Sequence, residues 1–274
     1  DGNPFVTNKI TLDVAERLRQ SILRSYYRDV RRLKRRFTFD GVQEILARVE
    51  KRLYKHVVRS YSKVNFSQKI LLSELEAARD IIIEKHDSLF IEELNDFINK
   101  VRIFGFHFAT LDIRQDSRVH HKAFTQIVDD LLAAGDTTFP KNYHNLSEKE
   151  QVQILSKVSG DVDLSFIKDE ETLKALNTMK AIKTIQDSNG EKAANRYIIS
   201  NNQTTLNVMQ LFAMLKLVAF QDELTVDIGP LFETITDLEN APKVMEELYT
   251  NPEYAAHLKS RGNNQTIMLG FSDG

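Results

Sequence analysis

Leu224–Thr234, LTVDIGPLFET, and Gln265–Gly274, QTIMLGFSDG, are the two stretches whose reading decides the fold. Each reads as a buried β-strand that stops at a carboxylate. In the first, Thr225–Ile228 is rich in β-branched residues, Gly229-Pro230 breaks the strand, and Glu233 follows. In the second, Thr266–Leu269 is apolar, Gly270 breaks it, and Asp273 follows. Proline lacks the ladder N–H and glycine has no side chain to pack, so both read as strand ends. Two parallel strands ending in acids at one rim suit the hard oxygen coordination of a divalent cation.

Working outward, the period changes near Gly105. Phe106, Phe108, Thr110, Asp112 and Arg114 alternate with His107, Ala109, Leu111 and Ile113, the two-residue period of a strand. Asp116-Ser117 then opens a helix that Gly135 closes. Helices are expected at 147–158 and 169–188, a short strand at Arg196–Ser200, and an apolar helix at 203–220. A further helix starts near Thr236, where Thr236 and Glu239 have capping-box spacing. The order strand, helices, strand, helix, strand, helix, strand requires parallel strands joined by helical crossovers. About four such strands make half of an eight-stranded barrel. A doubly wound sheet is the rival, but its Gly-rich phosphate loop is missing.

Upstream, apolar residues recur at helical spacing. A first helix spans 11–37, capped by Thr7 or Asn8; a second spans 40–61, a third 67–85. A fourth is capped by Asp87-Ser88. The expected fold is therefore α/β with large helical content: a helical region at 1–102 and a partial (β/α)8 TIM-type barrel at 103–274. The first helix carries a basic run, Arg28–Arg36, which reads as a phosphate patch or as a solvated face paired to acids elsewhere.

The net charge of −2 sets up no global field for nucleic acid or a membrane surface, so neither is an expected partner. No apolar run nears the roughly 20 residues of a membrane span. Cysteine is absent, which excludes disulfides and thiolate metal sites and fits a cytoplasmic location. The chain starts at Asp1 and stops at Gly274, and a fragment of something longer is expected.

A barrel places its chemistry at the carboxyl ends of the strands. Those ends are Arg114-Gln115, Asn201-Asn202-Gln203, Glu233 and Ser272-Asp273. Arg114 lies opposite the aliphatic side of its strand, where a guanidinium is suited to bidentate capture of a carboxylate or phosphate. Glu233 and Asp273 with waters match the way Mg2+ or Mn2+ is held. Each has a structural alternative: Glu233 as a helix-dipole acid, Asp273 as a turn residue, Arg114 as an ion pair with Asp112 or Asp116. His107 reads as a core histidine, and the adjacent His120-His121 as surface.

These same residues carry a resemblance to phosphoenolpyruvate carboxylase. Asp1–Thr7 (DGNPFVT), LDIRQDS ending at Ser117, Tyr197–Leu206, Pro230–Leu238 (PLFETITDL) and Met268–Gly274 (MLGFSDG) resemble that family's motifs in order. Phe271 stands where the family has Tyr, and Gly274 where Ser is common. The resemblance implies a lyase joining bicarbonate to phosphoenolpyruvate to give oxaloacetate and phosphate, through carboxyphosphate and an enolate. It implies Glu233 and Asp273 as ligands of Mg2+ or Mn2+, and Arg114 as the phosphate-binding residue. It also implies a tetrameric parent. The family's Thr-Ala-His-Pro-Thr segment, its Gly-Arg-rich loop and the lysine beyond Asp273 are not in this sequence, so no catalytic residue is assigned and the chain alone is expected to be inactive. A half barrel is expected to self-associate or to cover its open edge with its own helices. The alternatives are another metal-dependent enolate-handling barrel enzyme, lacking the DGNP and LFETITDL segments, and a non-enzymatic helical module binding an acidic partner.

Overall fold

The computed structural model describes residues 6–58, 66–158, 165 and 167–270. It divides into two compact units. One comprises residues 12–110 and 185–193; the other comprises 1–11, 111–184 and 194–274.

The first unit is helical. Its elements are α1 (Asn8–Arg36, begun in the other unit), α2 (Val42–Val58), α3 (Gln68–Lys85) and α4 (Ile91–Phe104). Thr7 starts α1, its Oγ1 accepting from the Ile10 N–H at 3.4 Å, and Ser67 caps α3 in the same way through Ile70. Every third or fourth residue turns inward, as an amphipathic helix requires. Leu23, Tyr26, Val30 and Leu33 of α1 meet Leu46, Val49 and Leu53 of α2, Leu71, Leu75 and Ile82 of α3, and Phe97, Ile98 and Val101 of α4. The Tyr26 hydroxyl enters this apolar core because it donates to the Gly105 carbonyl at 2.7 Å. Several cations of the basic run of α1 pair with acids: Lys34 with Glu50 at 2.7 Å, Arg36 with Glu93 at 2.6 Å, and Arg32 with Asp29 at 3.7 Å.

Two expectations fail in this unit. Asp87 and Ser88 do not cap α4. They lie in a turn with φ of 48° and 58°, and the N-cap position is Phe90, without a side-chain cap. Nor does a strand begin at Phe106. Phe108 has φ +66° and donates its N–H back to the Phe104 carbonyl at 2.8 Å, so 105–110 is a series of turns. The expected two-residue period is absent there: Gly105, Phe106 and His107 are buried, and Phe108, Ala109 and Thr110 are exposed. Phe106 is buried against Phe66, with ring centroids 5.3 Å apart, while Phe108 is exposed.

The second unit holds a parallel sheet of β1 (Asp112–Asp116), β2 (Arg196–Ser200), β3 (Asp227–Phe232) and β4 (Met268–Leu269), in the spatial order β1-β2-β3-β4. Spatial order equals chain order, so these four strands contain no reversal of the kind a doubly wound sheet has. Among the described residues the sheet is open. Between β1 and β2 run α5 (Ser117–Ala133), α6 (Glu148–Lys157) and α7 (Glu170–Asn189). Then α8 (Thr205–Val218) returns the chain to β3, and α9 (Ile235–Thr250) with α10 (Pro252–Ser260) returns it to β4. Tyr197, Ile199, Ile228 and Phe232 are buried. Helix α8 is apolar nearly all round and almost wholly buried, from Val208 to Val218.

The punctuation of β3 and β4 also differs from expectation. Strand β3 runs through Gly229-Pro230 to Phe232 instead of breaking there. Pro230 pairs with Ile199 of β2, and β4 joins only from Leu231 onward, so the missing N–H falls before β3 has neighbours on both sides. Gly229 serves packing: a Cβ there would lie 2.8 Å from Ile198 Cδ1. Strand β4 is shorter than Thr266–Leu269, and both of its residues are exposed. Because β3 extends to Phe232, α9 starts at once. Its capping box is Thr234 with Asp237, not Thr236 with Glu239: Asp237 N–H to Thr234 Oγ1 and Thr234 N–H to Asp237 Oδ2 are each 3.1 Å.

Candidate functional site

The register places Arg114 of β1, Ile198 of β2 and Gly229 of β3 in one row across the sheet. From that row the Arg114 side chain reaches Glu233, the first residue beyond β3, and Nη2 donates to Oε1 at 3.2 Å. Residues 119 positions apart in sequence thus meet at the carboxyl rim. The pairing differs from the structural alternative of Asp112 or Asp116. Asp112 instead pairs with Arg196 at 3.3 Å, and Asp116 with Arg118 at 2.7 Å. Arg118 hydrogen bonds hold the Asp116 carboxyl below the usual carboxylate range, while Asp116 accepts the Arg118 N–H and caps α5.

Glu233 is mostly buried, its side chain 18% exposed. Its second oxygen accepts the backbone N–H of Asn201 at 2.7 Å, a charge-assisted bond. Asn201 follows β2 with φ +53°, and its carbonyl accepts the Ser117 hydroxyl at 2.6 Å. Asn202 donates its N–H to the Leu231 carbonyl at 3.2 Å, continuing the β2–β3 ladder. Its side chain is fully buried, and neither Oδ1 nor Nδ2 has a hydrogen-bond partner among the described residues.

The fourth rim position is Gly270, whose N–H donates to the Phe232 carbonyl at 2.9 Å. A Cβ on Gly270 would lie 3.2 Å from Glu233 Cγ, so a side chain there would press on the acid and shift it by a few tenths of an ångström. Asp273 lies outside the described residues. It is three residues beyond Gly270, a reach of at most about 11 Å. Among the described residues no three histidine, cysteine or acidic side chains converge as a metal cluster. The donor that does sit on the rim, a carboxylate supported at one oxygen by a backbone amide, has the chemistry Mg2+ or Mn2+ takes. A depression of about 430 Å3 beside the rim is lined by Ser117, Arg118, His121, Gln203 and Asn207, and by neither Arg114 nor Glu233.

The histidines divide. His107 is buried and its pKa lies below the ordinary value, through burial first and Lys192 second. His120 is a correction: it is fully buried, its Nε2 2.9 Å from the Tyr197 hydroxyl, and burial pushes its pKa down to about 4. His121 is exposed, with Nδ1 3.0 Å from Gln210 Nε2. Ser117 was legible only as a helix start, and Asn201 only as a strand end. The signal for their contact is that both directly follow strands paired in register through Asp116 and Ser200.

Comparison with known proteins places this rim in context. The family model described as phosphoenolpyruvate carboxylase matches residues 36–274. A phosphoenolpyruvate carboxylase of Nitrosomonas eutropha is 30% identical over an alignment covering all of this chain and 34% of the relative. That of Nitrosomonas europaea gives the same figures, 30% identity with 100% and 34% coverage. That of a Synechococcus species is 34% identical over 69% of this chain and 18% of the relative. The chain thus spans about a third of the length of the two Nitrosomonas relatives, 34% in each case. With its family match over most of its length and its full-length alignment to these relatives, the chain belongs to the phosphoenolpyruvate carboxylase family.

Proposed function

We propose that this chain carries the Arg114 and Glu233 side of a phosphoenolpyruvate carboxylase site, mounted on part of an eight-stranded β/α barrel. The whole protein would join bicarbonate to phosphoenolpyruvate, releasing phosphate and oxaloacetate. The observation that carries the reading is the contact of Arg114 with Glu233 at 3.2 Å on one sheet rim, in a chain that belongs to this family. The sequential, unreversed order of four parallel strands supports the barrel.

In this reading Glu233, with Asp273, holds Mg2+ or Mn2+. The cation supplies Lewis-acid stabilisation of oxygen charge developing on the substrate. Arg114 presents a permanent positive charge and paired N–H donors to the substrate phosphoryl group. The Asn201 N–H fixes one Glu233 oxygen, so the carboxylate is oriented before anything binds. The whole protein is proposed to be a cytoplasmic tetramer. The present chain alone is proposed to be inactive, because the family's histidine-bearing segment is not among its residues.

Two measurements on the purified chain test this. Paramagnetic resonance of added Mn2+ is expected to show bound ion in the wild type and about tenfold or weaker binding in Glu233→Gln. Equal binding in both would remove Glu233 from the metal. Oxaloacetate formation coupled to a dehydrogenase is expected to stay at background, and bicarbonate-dependent product would overturn the inactivity.

A further inference from the structure

We infer that Ser117 and Asn201 are positioning residues that set the Glu233 carboxylate. The inference rests, for its metal consequence only, on the reading of Glu233 as a ligand. The peptide joining Asn201 to Asn202 is clamped at both ends. Its carbonyl accepts the Ser117 hydroxyl at 2.6 Å, and its N–H donates to the Leu231 carbonyl at 3.2 Å. With that plane fixed, Asn201 is held at φ +53°. Rotation about this φ decides where the preceding peptide points, and its N–H points at Glu233 Oε2, 2.7 Å away.

The residue types suit the task. The left-handed region is disfavoured for side chains with a Cβ, and asparagine is among the few that enter it at small cost. The conformation still has a cost, and the Ser117 to Asn201 hydrogen bond is one of the contacts that offset it. Ser117 is 3% exposed. Without its hydroxyl the Asn201 residue relaxes toward the extended region and its preceding N–H swings off the acid. Glu233 would then keep Arg114 on Oε1 but lose the contact that fixes its second oxygen. The relay thus runs from the start of α5, through the turn after β2, to the acid after β3. It crosses three of the four strand ends with two hydrogen bonds and one backbone conformation.

The test uses two readouts on the full chain. The first is amide hydrogen exchange at Asn201 without metal; the second is Mn2+ affinity by paramagnetic resonance. In Ser117→Ala and Asn201→Val, Asn201 exchange is expected to quicken and Mn2+ affinity to fall by about tenfold or more. Asn201→Gly keeps both the N–H and access to positive φ, and it is expected to restore slow exchange and wild-type affinity. Rescue by glycine separates conformation from mere loss of the side chain. Unchanged exchange and affinity in Ser117→Ala would overturn the inference. Faster exchange with unchanged affinity would overturn its metal consequence. If the wild type binds no Mn2+, the metal reading of Glu233 falls, and exchange alone decides the relay.

Discussion

Asn202 buries a primary amide that has no hydrogen-bond partner among the described residues. A buried primary amide without partners costs about 1–3 kcal/mol, whereas an apolar group of the same branching costs nothing of this kind. Asn202→Leu is therefore expected to raise the urea midpoint at an unchanged slope, by the equivalent of about 1–3 kcal/mol. A lowered midpoint would mean that the amide is satisfied in solution. Two histidines carry the opposite sensitivity. His120 and His257 are both buried, with pKa values pushed down to about 4, by burial first in each case; for His257, Arg261 adds to it. The unfolded chain binds a proton at each near the ordinary value, so between pH 6.5 and 4 it binds more protons than the native state. Stability is complete above that window and falls as pH drops through it. From pH 7 to 5, wild type is expected to lose on the order of 2 kcal/mol more than His120→Gln, read from urea midpoints at the two pH values. The burial of His120 was open to inference from sequence. It lies four residues before Phe124, on the stripe continued by Ile127, Val128 and Leu131. Its adjacency to His121 excludes a shared face, but one of the two can still turn inward.

At the level of elements, boundaries were less legible than identities. The helices, the strand at Arg196–Ser200 and the helix-closing Gly135 follow directly from period and capping. Gly135 sits in a Schellman arrangement, with Asp136 N–H to the Leu131 carbonyl at 2.9 Å and Gly135 N–H to Leu132 at 3.1 Å. The misread positions share one cause, local signals overridden by neighbours in space. Pro230 stays in its strand because the ladder beside it is incomplete there, and Phe106 and His107 are buried while Phe108 is exposed because the chain turns there instead of extending. The start of α9 is the clearest case, since Thr234-x-x-Asp237 and Thr236-x-x-Glu239 are equivalent as capping boxes by spacing. Where β3 ends chooses between them. Thr234→Ala is expected to cost about 1 kcal/mol, the usual value of an N-cap. Thr236→Ala, inside the helix, is expected to fall within about 0.5 kcal/mol of wild type. Comparable losses from the two would return the cap to Thr236.

For the molecule as a whole, strand order was readable and completeness was not. Alternating strands and helices dictate parallel pairing, and consecutive strands usually lie side by side, which is the arrangement found even across the three helices between β1 and β2. The candidate site was readable in the same limited sense: Arg114 and Glu233 could be assigned to strand ends, but their contact depends on register, which hydrophobic pattern alone does not fix between β1 and β3. The edge of the sheet carries the remaining consequence. Among the described residues β4 pairs only with β3, and Ile267, Met268 and Leu269 are 42%, 36% and 52% exposed. An apolar edge strand has unpaired peptide groups on one side and hydrophobic side chains beside them, the combination that recruits another strand. Sedimentation velocity is therefore expected to show association of this chain that grows with concentration. Leu269→Lys should shift the distribution toward monomer. Because Leu269 is already exposed, the substitution should move the unfolding midpoint by no more than about 0.5 kcal/mol in energy. Charge placed on an edge acts on the encounter between molecules more than on the fold, so the two readouts separate the explanations. A wild type that stays monomeric at all concentrations would show that the edge is covered in solution.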